Sequence, residues 1–592
     1  MSKNNLLKFN KQFFRDFWQL FKPYWTSEEK WSAFVLLALG ILCTIFGVRA
    51  SVTLNGITKD FYDALQNFNK VAITTSLLHY IIMLAILILV YGYGFYFNGL
   101  LAIRWRRWLT KHYLKKWLHN HSHYHMQLRG RNMDNPDQRI SEDLDTFTSA
   151  TMGVFFMIFE SLFSGISFGI ILWGLSGSLS IAVGHHHVSV HGYLLWAALF
   201  FGLLAIGITQ LIGKKLANLD YQQQHFNADF RFSLVKLRES SEQVALYQGE
   251  RNEDKRFDHF FNRIYDNFIK MLSLKKRLMF FTSGYSMGLY FLGILIAIPL
   301  YFQKKLQIGG MMQVTGAFSS VVSAFLSFAN SFSFFTEWRA VVSRLSEFNQ
   351  CVDFSQHPAV TGKHILINDG FNGGIVINNF TLSLPNGTVL LSNLNLNFYA
   401  GSSYLLCGPS GLGKSTLLRA LAGLWPFYQG EIYRQKNKSM FFLPQKPYFP
   451  IGSFKEALIY PGNQDIGIDI IHDTLLQVGL TKFQHSLDEI KDWEKELSLG
   501  EQQLVAFARL FLHKPDIIFL DESTSALDEE KECFVYKAMR KFLPQAALIS
   551  VGHRSSLRQF HENIITLTSE AKTSDGLTLK VTEMPSDLIV PT

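Results

Sequence analysis

The residues best suited to chemistry in this chain run Gly408-Pro409-Ser410-Gly411-Leu412-Gly413-Lys414-Ser415-Thr416. Glycines at 408, 411 and 413 let the backbone turn tightly enough for successive N–H groups to face an anion, and the positive end of a following helix adds to that field. Lys414 is spaced to reach the β and γ phosphates of a nucleotide, and Ser415 to ligate Mg²⁺. Further on, Asp516-Ile-Ile-Phe-Leu-Asp-Glu522 reads as a buried strand ending in two carboxylates. Asp521 is placed to hold Mg²⁺ through water, and Glu522 to take a proton from an attacking water. Gln445, after the run Met440-Phe-Phe-Leu-Pro444, is a candidate to position that water and sense the metal. His553, after the apolar run Ala547-Leu-Ile-Ser-Val551, is a candidate partner for the γ phosphate. Each alone has an ordinary structural reading, but all of them in this order are hard to obtain by chance.

Such groups need rigid elements to hold them. The apolar run Tyr404–Cys407 before the glycines reads as a strand, and Leu417–Ala422 after them as a helix, which is the order a phosphate loop requires. Ser498 and Glu501, three residues apart at the start of an apolar run, form a capping-box pattern that opens another helix. From Ile375 the chain shows short β-branched runs and then strand–helix alternation, so 375–592 is expected to be an α/β nucleotide-binding domain with a β-rich edge. The polar, glycine-bearing stretch 347–374 is expected to be a linker.

The first half has a different solvent. Charged residues are 17% and aromatics 15%, with 53 Phe among 592 residues, a balance that points to lipid. Six candidate spans fall at about 31–54, 77–103, 149–177, 192–213, 278–302 and 312–336, each long enough to cross ~30 Å of hydrocarbon. The loops 104–148 and 214–277 carry nine and thirteen Lys or Arg, whereas 55–76, 178–191 and 303–311 carry two, none and two. The basic loops and both termini are therefore expected in the cytosol. The net charge of +9 is thus explained by membrane orientation, and nucleic acid is not an expected partner. Both inner loops read as helical extensions of the spans, with apolar positions such as Trp105, Trp108, Leu109, Tyr113 and Trp117. Residues 1–30 show no signal peptide. They carry Phe13, Phe14, Phe17, Leu20 and Phe21 at helical spacing, expected as an amphipathic interfacial helix.

The remaining signals are weaker. Cys43, Cys351, Cys407 and Cys533 have neither disulfide-framework nor metal-ligand spacing. His119, His121, His123 and His125 in an inner loop, and His185, His186, His187 and His191 in an outer one, are conceivable metal or pH-sensing groups, with solvated loops the blander reading. Glu160, inside the third span, is costly at that depth and is expected to face a cavity or a partner. Arg49 is expected to reach the head groups.

The ordered set of phosphate loop, Gln445, Ser498-Leu499-Gly500, Asp521/Glu522, Ser525-Ala-Leu-Asp528 and His553 resembles the ABC ATPase family over residues ~375–560. The resemblance implies ATP and Mg²⁺ as ligands and a head-to-tail dimer, in which Ser498 and Gly500 of one subunit meet the γ phosphate held by the other, with Glu501 and Asp528 at the same junction. Leu499 stands where the commonest signature has Gly, and Glu501 where it has Gln. Leu384 stands where the family usually stacks an aromatic on adenine. In the membrane half, Leu54-Asn55, Asp60–Gln66, Asp134–Asp143, Phe230-Arg231, Arg238–Glu250 and Glu337–Leu345 resemble the SbmA/BacA-type bacterial uptake permeases fused to an ATPase. They are also similar to the peroxisomal acyl-CoA transporters of ABC subfamily D.

The resemblance implies an exporter-type six-span domain followed by one ATPase domain, working as a homodimer in a bacterial inner membrane. The 134–143 and 239–250 stretches are then expected to hold the turns that couple the halves. ATP bound between two ATPase domains would stabilise their closed dimer and so switch access across the membrane. The expected cargo is a bulky hydrophilic compound, peptide- or cobalamin-like, taken up. The alternatives are transport of fatty acid or acyl-CoA, and an ATP-regulated scaffold or channel.

Overall fold

The computed structural model describes residues 11–128, 135–176, 178–183, 186–356, 366–367, 374–435, 438–462, 466–573 and 576–585. The chain forms two units, Met1–Trp117 with Met133–Cys351, and Leu118–Asn132 with Val352–Thr592.

In the first unit, α1 (Lys11–Trp25) buries Phe13, Leu20, Tyr24 and Trp25. Its aromatic stripe packs on other helices: Phe13 and Phe17 each lie 5.3 Å from the Trp338 ring, and Tyr24 stacks on Trp105 at 5.7 Å. Then follow α2 (Lys30–Gln66) and α3 (Lys70–Leu118). Six helices among the described residues are long and apolar enough to cross a membrane: Lys30–Gln66, Lys70–Leu128, Pro136–Ser176, Tyr193–Leu211, Glu250–Phe302 and Ile308–Phe328. Each contains or overlaps one expected span. Ile81, Ile88, Leu89 and Phe95 of α3 stay exposed, as side chains meant for hydrocarbon must. At 49 residues α3 is far longer than a bilayer needs, and its end buries Trp105, Leu109 and Tyr113, one face at a spacing of four.

A short helix, α4 (Ser122–Leu128), follows a tight turn in which Asn120 and His121 have φ of 49° and 55°. It belongs to the second unit. Asp134, expected in a coupling turn, lies outside the described residues. From Pro136 a helical turn and a wider π turn at Arg139–Asp143 lead into α5 (Leu144–Ser176). Asp143, 4% exposed, accepts from Arg139 at 2.7 Å and is clamped by Arg344 through two bonds of 2.6 and 2.9 Å. That pairing ties α5 to the helix after the last span.

The outer loop is a hairpin of β1 (Ser178–Val183) and β2 (His186–His191), in register from Ser178↔His191 to Val183↔His186. His185 and the side chains of His186 and His187 lie outside the described residues. Then come α6 (Tyr193–Glu239), α7 (Ser241–Leu246) and α8 (Glu250–Phe302), whose lengths of 47 and 53 residues for α6 and α8 carry both well past a bilayer. The expected sixth span, 312–336, appears as α9 (Ile308–Asn330), a turn at Ser331, and α10 (Phe332–Gln356). The latter continues into the stretch expected as linker, because Leu345, Phe348 and Val352 keep a buried helical stripe there. Residues 357–365 and 368–373 of that stretch lie outside the described residues.

Among its described residues the second unit has, besides a short antiparallel pair of Gly452–Ser453 with Ile490–Lys491, two larger sheets. One is built from β3 (Leu366–Ile367), β4 (Ile375–Ser383), β5 (Val389–Phe398) and β7 (Tyr428–Arg434), in the order β3-β7-β4-β5. The other takes β6 (Ser403–Cys407), β8 (Met440–Leu443), β9 (Ile517–Asp521), β10 (Ala547–Val551), β11 (Asn563–Thr573) and β12 (Gly576–Pro585), in the order β12-β11-β6-β10-β9-β8. All its pairings are parallel except β11 with β12. β9 and β10 are buried at every position, as strands covered on both faces are. Helices α11 (Lys414–Leu421), α12 (Leu499–His513) and α13 (Glu529–Phe542) pack against this sheet region. The sheet delivers its carboxyl ends, at Cys407, Asp521 and Val551, to one edge, where ligands of open α/β sheets bind.

Candidate nucleotide site

The glycine-rich loop leaves β6 at Cys407 and enters α11 at Lys414. Gly408 has φ of 140°, and a Cβ there would stand 2.5 Å from the Leu567 carbonyl oxygen, so only glycine fits. Gly413, at φ 88°, turns the chain into the helix, and Leu390 sits 3.1 Å from where its Cβ would be. Lys414 is buried, and its Nζ donates to the carbonyls of Gly408 and Pro409 at 2.7 and 2.8 Å. Burial pulls the Lys414 pKa below the ordinary lysine value, against the opposing pull of Glu522, Cys407 and Asp521. The ammonium is thus partly desolvated and held over the loop by two carbonyls.

Ser415 Oγ donates to Asp521 Oδ1 at 2.6 Å. A hydroxyl and a carboxylate oxygen brought together beside a phosphate loop form an all-oxygen donor set of the kind Mg²⁺ takes, so these residues fit that ion. Arg419 Nη2 lies 4.0 Å from Asp521 Oδ2. Glu522, next in the chain, adopts φ of 48°, a left-handed conformation that is unusual and costly for a residue with a Cβ. Its backbone N–H reaches the Val551 carbonyl at 3.1 Å, so β10 holds the turn. Its carboxylate accepts from Gln445 Nε2 at 3.4 Å and lies 3.3 Å from His553 Nε2.

A cavity of about 320 Å³ is lined by Ser410, Gly411, Gly413, Lys414, Ser415, Thr416, Glu522 and His553, with Leu384 and Leu390 on its apolar side. The structure therefore gathers most of the candidates from four separate elements. Pro409 contributes its carbonyl to Lys414, and Leu412 packs toward the core. Leu384 opens the turn closed by its N–H to the Thr388 carbonyl at 2.8 Å.

Ser498, Gly500, Glu501 and Asp528 do not line this cavity. Ser498 caps α12 in a full capping box: its Oγ accepts from Glu501 N–H, and Glu501 Oε2 accepts from Ser498 N–H and Oγ at 2.9 and 2.8 Å. Burial would raise the Glu501 pKa, but hydrogen bonds from Lys482 and Ser498 outweigh it and hold the carboxyl below its usual value. A Cβ at Gly500 would meet the Ala526 carbonyl at 3.2 Å, which keeps that turn close to the Ser525–Asp528 stretch. Asp528 caps α13 by accepting from Lys531 N–H at 2.8 Å.

Residues without an assigned role in the sequence join these parts. Gln503 donates to the Gln445 carbonyl and to Ser525 Oγ at 3.0 and 3.2 Å, and accepts from Ala526 N–H at 3.0 Å. Its signal was a polar residue on the inner face of an amphipathic helix. Glu532, 1% exposed, accepts from Thr524 and Ser556 at 2.6 and 2.7 Å, with Arg554 at 3.6 Å. Arg554 also donates to the carbonyls of Leu527 and Ser525. In the same unit, α4 docks by His125 Nε2 to the Leu424 carbonyl at 3.2 Å, by Tyr124 to Arg419, and by Leu128 against the core. No spacing in the sequence announces that pairing.

The family described as "ABC transporter transmembrane region 2" matches residues 20–302, and that described as "ABC transporter" matches 391–525. "ABC transporter D family member 2, chloroplastic" of Arabidopsis thaliana is 32% identical, over 95% of this chain and 88% of its own. The chain belongs to the ABC transporter family. "Inner membrane ABC transporter ATP-binding protein YddA" of Escherichia coli K12 is 30% identical to this ABC transporter, over 93% of this chain and 97% of its own. A solved bacterial Atm1-family ABC exporter with ATP bound shares the fold at a TM-score of 0.71, with 18% identity, over 90% of this chain and 93% of its own. This ABC transporter is thus an integral membrane half-transporter, one transmembrane region joined to one cytosolic ATPase that drives transport.

Proposed function

We propose that this ABC transporter is a homodimer in a bacterial inner membrane that takes up a bulky hydrophilic solute, peptide- or cobalamin-like. The observation that carries the cargo is a cavity of about 710 Å³ within the transmembrane unit, walled by serines, Asn55, Thr58, Tyr80 and Glu160. A polar chamber of that size among membrane helices suits a solute that must leave water. The direction rests on the likeness of the Asp60–Gln66 and Asp134–Asp143 stretches to uptake permeases, and the location on the inner-membrane relative.

In the ATPase, Lys414 and the loop N–H groups bind the β and γ phosphates, and Ser415 and Asp521 hold Mg²⁺, which would screen phosphate charge. Glu522 accepts the proton of the attacking water, Gln445 orients that water, and His553 hydrogen-bonds the γ phosphate. Ser498 and Gly500 face the γ phosphate held by the second copy, which is why they stand outside their own subunit's cavity. Glu501 brings a negative charge to that junction, and Lys482, paired with it, offsets the repulsion.

An apolar cavity of about 460 Å³, with Leu162, Ile166, Ile170, Trp173 and Phe325 on its walls, favours a second reading, transport of fatty acid or acyl-CoA. The deciding experiment is ATPase activity in lipid nanodiscs with peptides, cobalamin or acyl-CoAs, together with ATP-driven accumulation in sealed vesicles. Stimulation and accumulation of a peptide or cobalamin support the first reading, and of acyl-CoA the second. Hydrolysis with no accumulation of any of them would point to a regulated scaffold or channel.

A further inference from the structure

The wall of the larger transmembrane cavity is more selective than its polarity alone implies. Glu160, on α5, is the one charged residue among those lining it, and no Lys, Arg or His is there to neutralise it. A carboxylate inside a span is expensive unless it meets a partner. Its partner is neutral: the Tyr91 hydroxyl of α3 hydrogen-bonds to Glu160 and also to Ser51 of α2. The Tyr91 ring packs beside Gly47 of α2.

Four of the hydroxyls lining this cavity donate back to their own helices. Ser51 donates to the Gly47 carbonyl at 3.0 Å, Ser320 to Gly316 at 2.9 Å, Ser327 to Ser323 at 3.0 Å and Thr58 to Leu54 at 2.8 Å. A hydroxyl that donates back to its own helix can offer a ligand only its lone pairs. Asn55 likewise gives its amide N–H to the Gln313 carbonyl at 3.3 Å, and its Oδ1 has no hydrogen-bond partner among the described residues. The chamber therefore offers several lone-pair acceptors beside one carboxyl group and no basic side chain among its lining residues.

We infer that this cavity is a cation-binding chamber in which Glu160 pairs with an ammonium or guanidinium group of the cargo, while serine and threonine lone pairs accept its remaining N–H bonds. The inference rests on the transport of a hydrophilic solute proposed above and narrows it to donor-rich cations. Solutes of net negative charge are disfavoured by like charge with no compensating base.

The test is saturable binding of radiolabelled trilysine to the full-length, nucleotide-free protein in phosphatidylcholine nanodiscs, whose zwitterionic lipid adds no net charge. Trilysine is expected to bind wild type and to be displaced poorly by its fully acetylated form. Glu160→Gln is expected to weaken binding at least about tenfold, the loss of one charge-assisted contact. Glu160→Asp keeps the charge and is expected to stay within a few-fold of wild type. Ser164→Asp, adding a carboxylate to the same wall, is expected to tighten binding. Absence of saturable trilysine binding to wild type, equal binding by Glu160→Gln, or equal competition by acetylated trilysine would overturn the inference. Glu160-dependent binding without ATP-driven accumulation of trilysine would uphold the chamber and count against the transport reading alone.

Discussion

Glu522 stands at the end of a fully buried strand with a left-handed backbone, held there by the Val551 carbonyl and flanked by Gln445 and His553. A side chain fixed in that way is aimed before ATP arrives. Glu522→Gln keeps the shape and removes the proposed base, so steady-state ATPase activity is expected to fall by at least about 10²-fold while ATP binding persists. Retained turnover in a phosphate-release assay would refute that role. His561 makes a separate prediction. It is 2% exposed, with its ring nitrogens 2.8 Å from the Leu557 carbonyl and 2.7 Å from Ser550 Oγ. Burial holds its pKa down at about 4, from an ordinary 6.5. Above pH ~6.5 the ring is neutral folded or unfolded; below that the unfolded chain takes up a proton that the native one refuses until about pH 4. Stability is therefore expected to be lost as pH falls through that window, by about 3 kcal/mol at most. Denaturant titrations between pH 7 and 4.5, read in the soluble half, should show this slope in wild type and lose it in His561→Asn.

At the scale of elements, the Asp143 clamp joins α5 to α10 through Arg139 and Arg344. Asp143→Asn leaves two guanidinium groups short of a buried partner and is expected to cost about 2 to 3 kcal/mol. The measurement is the unfolding temperature in detergent, with Arg344→Ala as the second corner of a double-mutant cycle; strict additivity would show that the pair does not act together. Elements were also where the sequence spoke unevenly. The six spans and the strands ending at Cys407, Asp521 and Val551 were legible because continuous apolar runs report burial directly. The phosphate loop was legible because its chemistry is local, with Lys414 acting six residues from Gly408. Tyr124 with Arg419, and Asp143 with Arg344, were not, because neither partner's neighbourhood hints at a residue some two or three hundred positions away. The outer hairpin was hidden too, since Ser178–His191 has no strong turn signature, and α10 outran its expected end because its buried stripe is diluted by polar neighbours.

The whole molecule is set by the separation of Ser498 and Gly500 from the cavity that holds Lys414. In the proposed homodimer each ATP needs both copies. Ser498→Arg and Lys414→Ala are each expected to silence a homodimer, whereas an assembly of one copy of each retains one site with neither change. A purified mixed dimer as inactive as both parents would refute the shared site. The docking of α4 bears on how the protein could be taken apart. The polypeptide passes between its two units at 117/118, 132/133 and 351/352, so three crossings stitch them where one junction would have sufficed. A protease that cuts between Gln356 and Leu366 severs only the last stitch. The released polypeptide still grips α4 through Leu424, Arg419 and its core, and the two pieces should travel together through gel filtration until denaturant loosens that helix.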